Sequence, residues 1–306
     1  MNESVTFFTI YLALFLFGMI VMRHGLMLGF QKKLPAILHR FADKPWKGLL
    51  TGVLAATITQ SSSAVMVITV GLVAVRAIPF HYSIGIMLGA NIGTVATLEI
   101  LAYDLSSISV PLLLTGSLFL FSKREKFFSI GCVLFGIAMM FISMHGFETL
   151  AYPLTSIPAI HYWFLETSQR VQLGVVTGLL MSSIVQSSSA VTAIAMSFMN
   201  EQLLELPSAV AIMLGANIGT CITAWFASLG ASKEAKLTAY AHIWVNIIGV
   251  ILCLPFLESF STFISLLSLS PERQLAHAAF LFNVVSSLLF LPFSEQIARL
   301  LKWVHK

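Results

Sequence analysis

Apolar residues run along almost the whole chain in stretches of about twenty, and the charged residues fall in the gaps between them or near their ends. Such runs predict helices that cross a bilayer, because the hydrocarbon core takes roughly 20 apolar residues to span. Seven segments meet this pattern: 6–28, 81–101, 107–121, 127–145, 207–229, 237–257 and 273–293. A basic stretch at 31–47 and a Pro- and aromatic-containing stretch at 147–169 read as interfacial. Two further runs, 48–75 and 171–199, carry no charge, yet each is interrupted near its middle by the polar string QSSSA. An all-α polytopic membrane protein is the expected fold class.

The interruptions are duplicated. QSSSAV stands at 60–65 and again at 186–191, and LGANIGT at 88–94 and again at 214–220. The offsets agree, 186 − 60 = 126 and 214 − 88 = 126, so the two halves align without a gap across both motifs. Polar side chains at membrane depth are expensive, and a pair of them repeated at fixed spacing needs a reason.

Composition narrows the class. Hydrophobic residues make up 58% of the chain and charged residues 10%, with a mean hydropathy of +0.91, far from a soluble domain at about 25% charged. Cys132, Cys221 and Cys253 are isolated in apolar segments and show neither metal spacing nor a disulfide framework. The N-terminal MNESVTFF has no basic region and no cleavage site of small residues, so the first apolar run is retained as a span. No basic face interleaved with aromatics supports nucleic-acid binding.

Placement of the basic residues decides how the QSSSA runs meet the membrane, since cytoplasmic loops are enriched in Lys and Arg. If both runs enter and leave by one face and the N-terminus is outside, 15 of the 17 basic residues are cytoplasmic; only Arg170 and Arg273 lie outside. If both runs cross, the split falls to 12 and 5. Re-entrant hairpins at 48–75 and 171–199 are therefore expected, with a cytoplasmic C-terminus. Three crossings then separate the two hairpins, and an odd number inverts the second half relative to the first. The expected organisation is a single transport domain, 1–306. Its first repeat is 1–125, its inverted second repeat 126–258, and 259–306 a final span and cytoplasmic tail.

Hairpin tips at membrane depth expose backbone groups and helix N-termini that suit an anion. Ser61, Ser62, Ser63 and Ser187, Ser188, Ser189 add hydroxyls, and Gln60 and Gln186 add amides able to orient the loops. No Arg or Lys is expected near either tip, which leaves the anion's charge to dipoles, hydroxyls and a bound cation. In LGANIGT, Gly89 and Gly93 around Asn91 would permit an unwound turn whose carbonyls, with Asn91 and Thr94, form a hard-oxygen shell for Na⁺. Gly215, Asn217, Gly219 and Thr220 repeat it. The strings GLLTG at 48–52 and GVVTG at 174–178 read instead as seats for close helix packing. Glu99 reads as interfacial, and Tyr240, His242, Asn246, His277 and Asn283 as groups bonded to neighbouring helices.

The doubled QSSSA and GANIGT motifs resemble those of the type II sodium–phosphate cotransporter family, over about 48–257. The resemblance implies Na⁺-coupled uptake of inorganic phosphate by alternating access in the plasma membrane, for a bacterial member the inner membrane. By it, Gln60–Ser63 and Gln186–Ser189 would line the phosphate and sodium sites, with Ser62 and Ser188 shared between them. Na⁺ is the coupling ion, no organic cofactor is implied, and a homodimer is open. Many bacterial relatives carry a soluble domain resembling PhoU after the membrane part; a member without it is expected here. A proton-coupled or passive phosphate or anion exporter on the same hairpins is the alternative. An intramembrane enzyme would need Ser with Lys or His, or a metal set, and neither serine cluster is accompanied by one.

Overall fold

The structure, a computed structural model, describes residues 3–305 apart from 29, 31, 32, 42, 43 and 104; parts of the expected 31–47 interfacial stretch, and Lys306, lie outside the described residues. Among the described residues all regular structure is helical. The chain runs through α1 (Glu3–Met27), α2 (Leu34–Phe41), α3 (Pro45–Thr59), α4 (Ser62–Ala74), α5 (Phe80–Thr94), α6 (Ala96–Leu101), α7 (Ser106–Leu120) and α8 (Glu125–Thr155). It continues through α9 (Pro158–Gln169), α10 (Val171–Val185), α11 (Ser188–Asn200), α12 (Leu206–Gly219) and α13 (Cys221–Ser228). The last part is α14 (Lys233–Cys253), α15 (Leu257–Ser265), α16 (Pro271–Phe290) and α17 (Ser294–Val304).

Among the described residues six helical stretches are long and apolar enough to cross a membrane: Glu3–Met27, Phe80–Leu101, Glu125–Thr155, Leu206–Ser228, Lys233–Ser265 and Pro271–Val304. The seventh expected span is α7, only 15 residues, or about 22 Å at 1.5 Å per residue. It lies antiparallel against α8, where Gly116 meets Phe135 and Gly131 meets Phe119. The expected boundary near His145 does not exist. Helix α8 continues to Thr155, and Gly146 is a seat for the Tyr11 ring rather than a breaker. Within the expected tail, 294–304 is helical. After a 3₁₀ turn at Leu291–Phe293, α17 docks with Ala298 and Leu301 buried, and Tyr240 stacks on His305 at 4.3 Å.

Glycines set how closely the helices pack. A Cβ on Gly52 would sit 2.2 Å from the Ile86 carbonyl oxygen, one on Gly89 1.9 Å from that of Leu49, and one on Gly93 2.3 Å from that of Val53. The contacts advance in step along both helices, so α3 and α5 run parallel at backbone contact. Helix α4 must therefore return the chain to the level where α3 began. The second half repeats this, with Gly178 against Ile212, Gly215 against Val175 and Gly219 against Leu179, so α10 and α12 are parallel and α11 returns. GLLTG and GVVTG are packing strings, as their small residues suggest.

The same contacts correct the expectation of unwound turns in LGANIGT. Helix α5 runs unbroken from Phe80 to Thr94, and α12 from Leu206 to Gly219. The glycines there serve close approach, and the carbonyls within each string stay in the helix. A tight turn closes each helix instead, at Val95 just after the first string, where the amide bonds Ile92 O at 3.2 Å, and at Thr220, the last residue of the second.

Two buried apolar clusters form the core. One joins α1, α8, α11, α12 and α16; the other joins α2, α3, α4, α5, α14 and α17. Helices α4 and α11 thus belong to different clusters, and the polar motifs lie where the clusters face each other.

Candidate functional site

Each QSSS string is a helix–break–helix written in four residues. Gln60 and Gln186 end their helices in the left-handed region, at φ 49° and 56°. That conformation is strained for a side-chain-bearing residue, about 1–3 kcal/mol, and must be held by its surroundings. Gln60 is held by its own amide: Nε2 donates to Thr57 O at 2.6 Å, and Oε1 accepts from the Thr97 hydroxyl. The next residues, Ser61 and Ser187, are extended and cap the following helices. Ser61 Oγ accepts from Ala64 N at 3.1 Å, and Ser187 Oγ from Ala190 N at 3.3 Å.

The serines of each triad consequently differ in role. Ser61 and Ser187 spend their oxygens on caps. Ser62, Ser63 and Ser188 show no side-chain hydrogen bond among the described residues, while Ser189 pairs with Ser187 at 3.1 Å. Ser62 and Ser188 open the first turns of α4 and α11, where backbone amides have no intrahelical acceptor and the helix dipole is positive.

Two small cavities lie at these tips. The first, about 20 Å³, is lined by Ser62, Asn91, Thr94, Ser188, Asn217 and Thr220, together with Ser189, Thr192 and Asn283. All six residues expected to hold Na⁺ thus surround one space. The second, about 10 Å³, is lined by Ser61, Ser62 and Ser63 of one tip, Gln186 to Ser189 of the other, Thr94, Thr220 and Arg23. Seven of the eight residues expected at the phosphate site meet here. The exception is Gln60, which lines neither cavity because its amide is committed to the break. Each cavity is about the size of one water.

Asn91 is fixed from outside its own helix. Its Nδ2 donates to Asn246 Oδ1 at 3.2 Å, and its Oδ1 lies 3.3 Å from His242 Nε2. Asn246 in turn donates to His242 O and to the Cys221 thiol. Asn217 has a looser hold, 3.8 Å to Met213 Sδ. Thr94 and Thr220 donate back to carbonyls one turn earlier, which leaves an oxygen lone pair facing the cavity. His242 and Asn246 bond to a neighbouring helix, as read from the sequence, whereas Asn283 donates to Ala279 O of its own helix at 2.8 Å and lines the first cavity.

Arg23 overturns the expectation that no basic side chain approaches the tips. It sits on α1, outside the duplicated motifs, one turn beyond Met19, whose Sδ accepts from Ser187 Oγ at 3.5 Å. Taking Arg23 out of the loop tally changes 15 cytoplasmic residues to 15 − 1 = 14 and leaves the asymmetry intact.

A wider cavity of about 340 Å³ lies one turn of α6 away, since Leu98 faces the first tip cavity and Leu101 the wider one. Glu148, Asn200, Glu272 and Arg273 line it, and Arg273 lies over the Tyr103 ring at 4.7 Å. Glu99 is paired with His277 at 3.1 Å, both side chains about one-third exposed.

Six membrane-length helices around a hydroxyl- and amide-lined interior define a multi-pass protein of the plasma membrane, of the transporter class. The chain belongs to the family described as Na+/Pi-cotransporter, whose model matches residues 14–149 and 157–269. Bacillus subtilis "Uncharacterized protein YqeW" is 37% identical over 275 residues, 90% of each chain. "Putative inorganic phosphate export protein YjbB" of Salmonella typhimurium is 25% identical over 291 residues, 95% of this chain and 54% of that protein. This chain therefore spans about half the length of that relative. Human "Sodium-dependent phosphate transport protein 2B" is 37% identical over 89 residues, 27% of this chain and 13% of that protein. No solved structure matches the chain.

Proposed function

We propose that the protein carries inorganic phosphate across the membrane together with Na⁺, by alternating access between two inverted repeats. The observation that carries this reading is the meeting of two serine tips, 126 residues apart in sequence, around shared cavities with Asn91, Thr94, Asn217 and Thr220. Serine hydroxyls and free amides of α4 and α11 suit the oxyanion, and the amide and hydroxyl oxygens of α5 and α12 suit a hard cation beside it.

Parallel packing of α3 with α5 and of α10 with α12 supports re-entrant hairpins. The α3 tip stops level with Gly93 and Thr97, and the α10 tip level with Gly219, inside the Phe80–Leu101 and Leu206–Ser228 spans rather than at their ends. With α7 counted as a crossing, the hairpins enter from opposite faces. Cavities of water size leave no room for phosphate, so the tips part to admit it. Because the tips belong to different apolar clusters, relative movement of the clusters opens the site, and the wider cavity beyond Leu101 supplies a path on one side. Counterflow of labelled phosphate in proteoliposomes, with and without a Na⁺ gradient, tests this: acceleration by Na⁺ is expected, and no phosphate movement refutes it.

A second reading is phosphate export without Na⁺; its export direction is favoured by the name of the Salmonella typhimurium relative, a phosphate export protein aligned over 95% of this chain. In the same assay, phosphate flux indifferent to Na⁺ selects it.

A further inference from the structure

We propose that Arg23 is the charge partner of the transported anion, presenting the edge formed by its Nε–H and a terminal N–H to the oxyanion held between the serine tips. The proposal rests on the phosphate-binding reading above. Arg23 lines the cavity shared by both serine triads, and its Nε is buried without a hydrogen-bond partner among the described residues. Among the described residues Arg23 has no ion pair either; the carboxylates of Glu148, Glu166 and Glu99 pair with His145, Arg170 and His277.

An uncompensated guanidinium inside a membrane bundle is costly and marks a place where compensation arrives. Arginine is suited to the task, because its planar fork matches two oxygens of a phosphate at once. The neighbours agree with an anion. Ser62 and Ser188 hydroxyls are free, and the positive ends of two 13-residue helices, α4 and α11, open onto the same space. Among the described residues no carboxylate lines either tip cavity to compete for the guanidinium. Packing of α1 on α8, with Gly18 against Gly136 and Gly25 against Ser129, fixes the height at which Arg23 stands.

Charge bookkeeping follows. One guanidinium neutralises part of a mono- or dianionic phosphate, and the cation at Asn91 and Asn217 balances the remainder. Without Arg23 the cation must do more, so phosphate affinity should depend more steeply on Na⁺.

The test is equilibrium binding of labelled inorganic phosphate to the purified parent, Arg23→Gln and Arg23→Lys across a Na⁺ series, with monodispersity and thermal stability as folding checks. Arg23→Gln should weaken binding about 10- to 150-fold, the span of a charge-assisted hydrogen bond, and steepen its Na⁺ dependence. Arg23→Lys keeps the charge, loses the fork and should fall between the two. Parent-like affinity and Na⁺ dependence in Arg23→Gln overturn the proposal while leaving phosphate binding intact. Should Arg23→Gln not fold, parent-like affinity in Arg23→Lys overturns it instead. A parent that binds no phosphate at any Na⁺ concentration overturns the functional reading, and Arg23's role with it.

Discussion

Alanine at adjacent serines should give opposite results, because the triads divide capping from free hydroxyls. Ser62 and Ser188 have no side-chain partner among the described residues, so Ser62→Ala and Ser188→Ala remove no hydrogen bond seen in the resting fold. If those hydroxyls donate to phosphate, each loss costs about 1.5–3 kcal/mol of binding, roughly 10- to 150-fold in Kd, with thermal stability unchanged. Ser61 and Ser187 accept from Ala64 N and Ala190 N. Their alanine variants lose a helix cap worth about 0.5–2 kcal/mol, so stability should fall. Phosphate binding and thermal unfolding are measured on the same four detergent-purified variants. The expected pattern is affinity lost at the second serine and stability lost at the first, in both tips. Parent-like phosphate binding in both Ser62→Ala and Ser188→Ala would refute the reasoning, leaving the tips a purely structural device.

Gly89→Ala and Gly215→Ala should destroy expression or folding, since each new Cβ would fall 1.9 Å from a backbone oxygen; Gly71→Ala, with open space around it, should be neutral or stabilising by up to about 1 kcal/mol. Asn246→Ala removes the acceptor of Asn91 Nδ2 and should cost about 1–3 kcal/mol in stability while weakening the Na⁺ effect on phosphate binding; a variant with unaltered Na⁺ dependence would dissociate the network from the cation. Cysteines placed at 123–126 should label from the cytoplasmic side alone, and labelling from outside would overturn the inverted arrangement.

The parts legible in the sequence were those where a polar residue stands against an apolar background. QSSSA and LGANIGT could be found for that reason, and their constant offset tied the halves together before any helix was placed. Glycines were harder, because the same residue permits a break or allows a close approach. Gly89, Gly93, Gly215 and Gly219 proved to be seats for neighbouring backbone, and Gly146 a seat for the Tyr11 ring; only tertiary contact distinguishes a break from a close approach. Arg23 was hidden by its place near the end of the first apolar run, where a basic residue ordinarily belongs to the loop tally. Its approach to the tips depends on how α1 packs on α8, outside the duplicated segments. A hint lay in its spacing, with Met19 and Arg23 four residues apart on one helix face. Thr192 was equally unmarked, one turn after Ser188 and bonded to its carbonyl.

The linkage between the two ions tests the central claim most directly. Binding of labelled phosphate to the purified protein, measured as Na⁺ replaces choline at constant ionic strength, should tighten with Na⁺. Na⁺ affinity should tighten with phosphate by the same factor, because coupling free energy is reciprocal. Li⁺ in place of Na⁺ shows whether the effect belongs to the cation site rather than to ionic strength. A phosphate Kd that does not change across the Na⁺ series would contradict a shared site at the meeting of the two serine tips.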